Sequence, residues 1–135
     1  MSLAPNLEDP KQVVLAFAAA YTQWEDDATH KLDDPVIAER HKQMLLDYCT
    51  HKRRPLVDGQ LSCGSPAAYE DVTAANVGET EYVGSTRAHV DTVGLKSGNF
   101  RFILLKKPDG WRIDVVQSRW NDTDKWKNNL IGSMA

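Results

Sequence analysis

The segment from Asn99 to Arg119 constrains the fold more than any other part of this chain. Phe100, Phe102 and Leu104 recur at every second residue, Pro108, Asp109 and Gly110 interrupt the run, and Trp111, Ile113 and Val115 resume the same period. Alternation on both sides of a Pro-Asp-Gly break predicts an antiparallel β-hairpin turning at Asp109-Gly110, with one face toward a core. The exit, Arg119-Trp120-Asn121-Asp122-Thr123-Asp124-Lys125-Trp126, is polar but bracketed by two tryptophans. It predicts a tail folded back over the sheet, with Asp124 to Ile131 as a short final helix.

Upstream the signals are helical. Asp9, Pro10 and Gln12 have the form of an N-cap, a first-turn proline and a capping side chain. Val13, Phe17, Tyr21, Trp24 and Ala28 then make one stripe, with Leu15, Ala18, Ala19 and Thr22 on the other side. This helix should touch a sheet with its aromatic face and another helix or subunit with its alanine face. A second start stands at Asp34-Pro35, followed by Ile37, His41, Met44 or Leu45, and Tyr48, and the helix must stop before Pro55. Leu56 to Ala68 reads as loop. Strand-like composition covers Tyr69 to Ala74, Glu79 to Val93, Asn99 to Lys107 and Trp111 to Arg119. The expectation is a single α+β domain over residues 1–135, with two N-terminal helices packed on one face of a strongly curved antiparallel sheet.

Charge and composition narrow the function. A net charge of −3 argues against a general nucleic-acid binder, and the basic run His51-Lys52-Arg53-Arg54 suits a helix C-terminus. No apolar run approaches the roughly 18 residues of a bilayer span, and no signal peptide is read, so a cytoplasmic location is expected. Cys49 and Cys63 lack CxxC spacing; two buried thiols and one disulfide both remain open.

Helices first, then long strands closing on Lys106-Lys107-Pro108-Asp109-Gly110-Trp111-Arg112-Ile113-Asp114, resemble the cone-shaped fold of the nuclear transport factor 2-like superfamily. Within it, Phe102 to Leu130, including Asp124-Lys125-Trp126-Lys127, is similar to the bacterial immunity proteins of that fold. The resemblance implies a small cytoplasmic protein made beside a toxin, which binds and neutralises the toxin's effector domain without catalysis. Homodimerisation through the open sheet face is compatible with it. The superfamily also implies an alternative, a small-molecule isomerase, dehydratase or hydrolase using the cone pocket.

For an enzyme, a cavity would be built from Tyr21, Trp24, His89, Asp91, Arg101 and Asp114. Arg87, His89 and Asp91 share one strand face, so His89 would be a general base oriented by Asp91; the plainer reading is a solvated sheet face opposite Ala88 and Val90. Asp114 is expected on a face with Arg112 and Val116, opposite Ile113 and Val115, and in a cross-strand ion pair with Arg101. His41 falls on the apolar stripe, where a packed ring with satisfied nitrogens is expected. No catalytic residue, cofactor or metal site is assigned, because no metal-ligand spacing, phosphate loop or nucleophile motif occurs. For a binding protein, Glu25, Asp26, Asp27 and Asp33 would be an acidic patch suited to a basic toxin surface, the plainer reading being a solubilising turn with Asp34 as a helix cap, and Trp120 and Trp126 would be half-exposed anchors.

Overall fold

The computed structural model describes residues 7–28, 34–51, 69, 71–95, 98–121 and 123–129. Two helices, α1 (Pro10–Ala28) and α2 (Pro35–Tyr48), precede five strands: β1 (Glu81–Val83), β2 (Arg87–Asp91), β3 (Asn99–Lys107), β4 (Gly110–Arg119) and β5 (Lys127–Asn129). The strands form one antiparallel sheet in the order β1-β2-β3-β4-β5. This is the expected α+β class.

Both helices begin where capping chemistry dictates. The Asp9 carboxylate accepts a hydrogen bond from the Gln12 amide at 3.1 Å, and Asp34 accepts from Val36 N–H at 2.9 Å with Pro35 opening the helix. The stripe Val13, Phe17, Tyr21, Trp24 and Ala28 is buried, and α1 packs on β2, β4 and α2. On its alanine side Ala18 is buried and Ala19 exposed. Trp24 donates its indole N–H to the Ile37 carbonyl at 2.9 Å, tying the two helices together where a buried N–H would otherwise be costly.

The strands supply the facing layer. Ala88, Val90, Phe102, Leu104, Ile113 and Val116 all have 0% exposure and meet Phe17, Tyr21 and Tyr69. Burying each large side chain of this kind stabilises the fold by about 1.5–3 kcal/mol. The rings pack at tilted and edge angles: Tyr69 lies 5.0 Å from Tyr21, 5.7 Å from Phe17 and 5.1 Å from Phe100.

Four details depart from the sequence reading. Glu79 to Val93 is not one strand but a hairpin, in which Gly84 at φ 71° helps the chain reverse between β1 and β2. The described residues of Tyr69 to Ala74 lie in turns rather than a strand, with Val72 N–H donating to the Tyr69 carbonyl at 3.0 Å. In place of a final helix, Asp124 to Trp126 are non-helical and Lys127–Asn129 pairs with β4 as β5; Leu130, Ile131 and Leu56 to Ala68 lie outside the described residues.

The fourth departure is a β-bulge. Ile103 faces Val115 while Leu104 faces Ile113, so Asp114 is the extra residue. An extra residue inverts the alternation beyond it. Val116, not Val115, therefore continues the buried face begun by Trp111 and Ile113. The hairpin itself turns as expected, and Gly110 is required there: its φ is 127°, and a Cβ would stand 2.5 Å from the Leu7 carbonyl oxygen. That carbonyl accepts from Trp111 N–H at 2.8 Å, fastening the segment before α1 to the hairpin.

Candidate partner-binding surface

Between helices and sheet the described residues form one buried apolar cluster. Tyr21 and Trp24, two of the proposed cavity residues, are 1% and 2% exposed and belong to the aromatic core. His41 sits against them, 4.8 Å from Trp24 and 6.0 Å from Tyr21 between ring centroids. Contrary to expectation its Nε2 has no hydrogen-bond partner, and burial pushes its pKa below the ordinary histidine value. A neutral ring in an aromatic cage is the result.

His89, Asp91 and Arg101 lie on the outer face of the sheet, opposite Ala88 and Val90, half-buried rather than solvated, and both ring nitrogens of His89 are buried without a hydrogen-bond partner. Asp91 faces Arg101 across the ladder and accepts two hydrogen bonds from it, each 2.9 Å. This replaces the expected Arg101–Asp114 pair. The pairing raises the pKa of Arg101. Beside it His89 is held below the usual histidine range, first by burial and then by the Arg101 charge.

Asp114, displaced by the bulge, accepts from the Thr50 hydroxyl at 2.8 Å. It borders an open depression of about 640 Å³ between the end of α2 and the hairpin turn. Arg112 crosses this region, donating to the Leu46 and Cys49 carbonyls at 2.6 and 3.2 Å and forking onto Asp109 at 2.5–3.1 Å. That guanidinium holds the Asp109 carboxyl below its ordinary range. The arrangement caps the last carbonyls of α2 and latches the helix to the hairpin; His51, which lines the same depression as Asp109 and Asp114, is hydrogen-bonded through Nε2 to the Leu46 carbonyl at 2.9 Å. Among the described residues no His, Cys, Asp and Glu cluster has metal-binding geometry, and no helix is long and apolar enough to cross a membrane.

The acidic patch is dispersed. Glu25 is 1% exposed and faces the core side of α1, so it is withdrawn from the surface. Asp27 is bound by Arg40 at 2.7 Å and by Gln23 at 3.0 Å, Asp26 is exposed, and Asp33 lies outside the described residues. Cys49 is buried, while Cys63 likewise lies outside them.

The tail behaves differently. Trp120 is 75% exposed. Trp126, half-buried, lies under two guanidiniums, Arg101 at 4.7 Å and Arg119 at 4.2 Å from its ring centroid. This Arg-Trp-Arg stack was not foreseen from the sequence. It joins residues from three strand regions, and only the β4–β5 pairing brings Trp126 beside Arg119; the one sequence signal was a tryptophan on a polar tail.

Comparison with known proteins assigns the class. The family described as NTF2-fold immunity proteins matches residues 9–129, spanning both helices and all five strands, and the chain belongs to that family. The immunity protein RhsIA of Dickeya dadantii (strain 3937) is 32% identical over 117 residues, covering 81% of this chain and 75% of that protein. No solved structure matches.

Proposed function

We propose that this chain neutralises a toxin encoded beside it, by binding the toxin's effector domain in the cytoplasm without chemistry of its own. The observation that carries the reading is membership of the immunity family across residues 9–129. Two features support the binding mode. Among the described residues Phe17, Tyr21, Trp24, Phe102 and Leu104, between helices and sheet, belong to one buried apolar cluster with no catalytic group among them. The titratable groups considered for catalysis lie on the outer sheet face or in ion pairs and hydrogen bonds that fix them.

Co-expression tests the proposal. The toxin domain encoded by the neighbouring gene should kill cells alone and be tolerated when this chain is present. The two purified proteins should also form a stoichiometric complex. Killing undiminished by this chain would overturn the reading.

A further inference from the structure

We propose that the toxin docks on the outer face of the sheet, along the row Asp91, Arg101, Trp126 and Arg119, and that it meets this face with an acidic surface. The inference rests on the immunity reading above and adds where the partner binds and what chemistry it presents.

Strand pairing defines the face. Ile103 and Val115 stand opposite one another at its centre, both half-buried, with His89 beside Ile103. The Arg-Trp-Arg stack runs along one side. An apolar centre beside tryptophan and arginine is the composition that dominates protein interfaces energetically. The stack is also pre-organised: two hydrogen bonds to Asp91 hold Arg101, and both guanidiniums rest on the Trp126 ring. Side chains already ordered lose little entropy when a partner arrives. The Arg101 fork is filled by Asp91, so a partner's carboxylates are attracted by the positive excess of the face rather than by this fork.

Charge decides between occupants. Arg87, Arg101 and Arg119 on this face outnumber Glu81 and Asp91, although the whole chain carries −3. His89, with its depressed pKa, adds no charge near pH 7. Two copies meeting through this face would set the same arginine excess against itself, whereas an acidic partner complements it. The helix side offers less, since Glu25 is buried and Asp27 is engaged by Arg40.

The test is calorimetric titration of this chain with the neighbouring toxin domain carrying a substitution that abolishes killing. Trp126→Ala and Arg119→Glu should each weaken binding by about thirty-fold or more, the scale of an interface hot spot. Arg87→Glu, at an exposed position of the same face, should weaken it several-fold and reduce its salt dependence. Glu39→Lys, on the exposed surface of α2, should leave affinity within about twofold, as exposed charges remote from an interface do. Circular dichroism confirms that each variant is folded; should Trp126→Ala fail to fold, Arg87→Glu and Arg119→Glu, which leave the ring in place, decide. Full affinity in these folded sheet-face variants would overturn the inference while leaving the immunity reading intact. Loss on Asp26→Lys with the sheet variants unaffected would place the contact on the helix side instead. Dissociation of a dimer by Arg119→Glu, with toxin affinity unchanged, would assign the face to a second copy. No binding by the unaltered chain, together with no protection, would overturn the immunity reading and this inference with it.

Discussion

The two faces of the sheet use alternate residues of the same strands for different ends. On the inner face Val90, Phe102, Leu104 and Val116 are fully buried, with no charged side chain among them. On the outer face, one residue along, stand Asp91, Arg101, Ile103 and Val115, all half-buried, with ion pairs and cation–π contacts in place of close packing. A period of two lets a single hairpin hold the fold with one side and leave the other for the docking proposed above. The inner face is thereby committed to stability. The outer face is free to diverge without dismantling the core, as the proposed docking of one particular toxin there would require.

Substitutions can break this contrast, beginning where the effect is largest. Phe102→Ala removes a fully buried ring from the aromatic cluster and should cost about 3–5 kcal/mol, read as a lower urea midpoint. Gly110→Ala should cost about 1–3 kcal/mol, because alanine must adopt a positive φ and its Cβ meets the Leu7 carbonyl; thermal melting measures the loss. A third measurement follows pH. His41 in the folded chain takes up its proton at lower pH than in the unfolded chain, whose value is near 6.5. Its contribution is therefore present above about pH 6.5 and is lost as pH falls from there toward the depressed folded value. The urea midpoint should drop between pH 7.5 and 5.5, and His41→Phe should flatten that slope. His89→Gln should remove less of it, since Glu81 and Asp91 oppose the burial and Arg101 effects at that ring. The smallest change in stability should come from Arg101→Gln, within about 1 kcal/mol, because its ion pair with Asp91 is partly exposed. A loss there as large as that of Phe102→Ala would mean that the outer face is structural after all.

Legibility followed the range of the interactions involved. Helix starts at Asp9 and Asp34, the stripes they launch, and the turn before Trp111 were readable because capping, helical periodicity and turn chemistry act within a few residues. The class of the protein was also legible, through the resemblance of the hairpin and tail to immunity proteins. The hairpin turn at Gly84 was missed although Gly84-Ser85 interrupts the strand-forming run, since a continuous strand satisfied the same composition. The acidic patch failed differently: Glu25, Asp26 and Asp27 are adjacent in sequence, but successive helical residues point about 100° apart, so one was buried while its neighbour remained in solvent.

What the sequence determined alone is the local grammar: two capped amphipathic helices, alternating strands, and a hairpin whose apolar residues must find cover. What only the tertiary structure decided is which residues share a face once strands pair. Val115 and Val116 are both apolar, and nothing local chooses between them; the register with Ile103 and Leu104 inserts Asp114 as a bulge and turns Val116 inward. By the same logic Arg101 pairs with Asp91 rather than Asp114, and Trp126 comes to rest between Arg101 and Arg119 because β5 adds to β4. Pairing partners far apart in the chain are selected by the burial of the whole sheet, an energy that no short stretch of sequence contains.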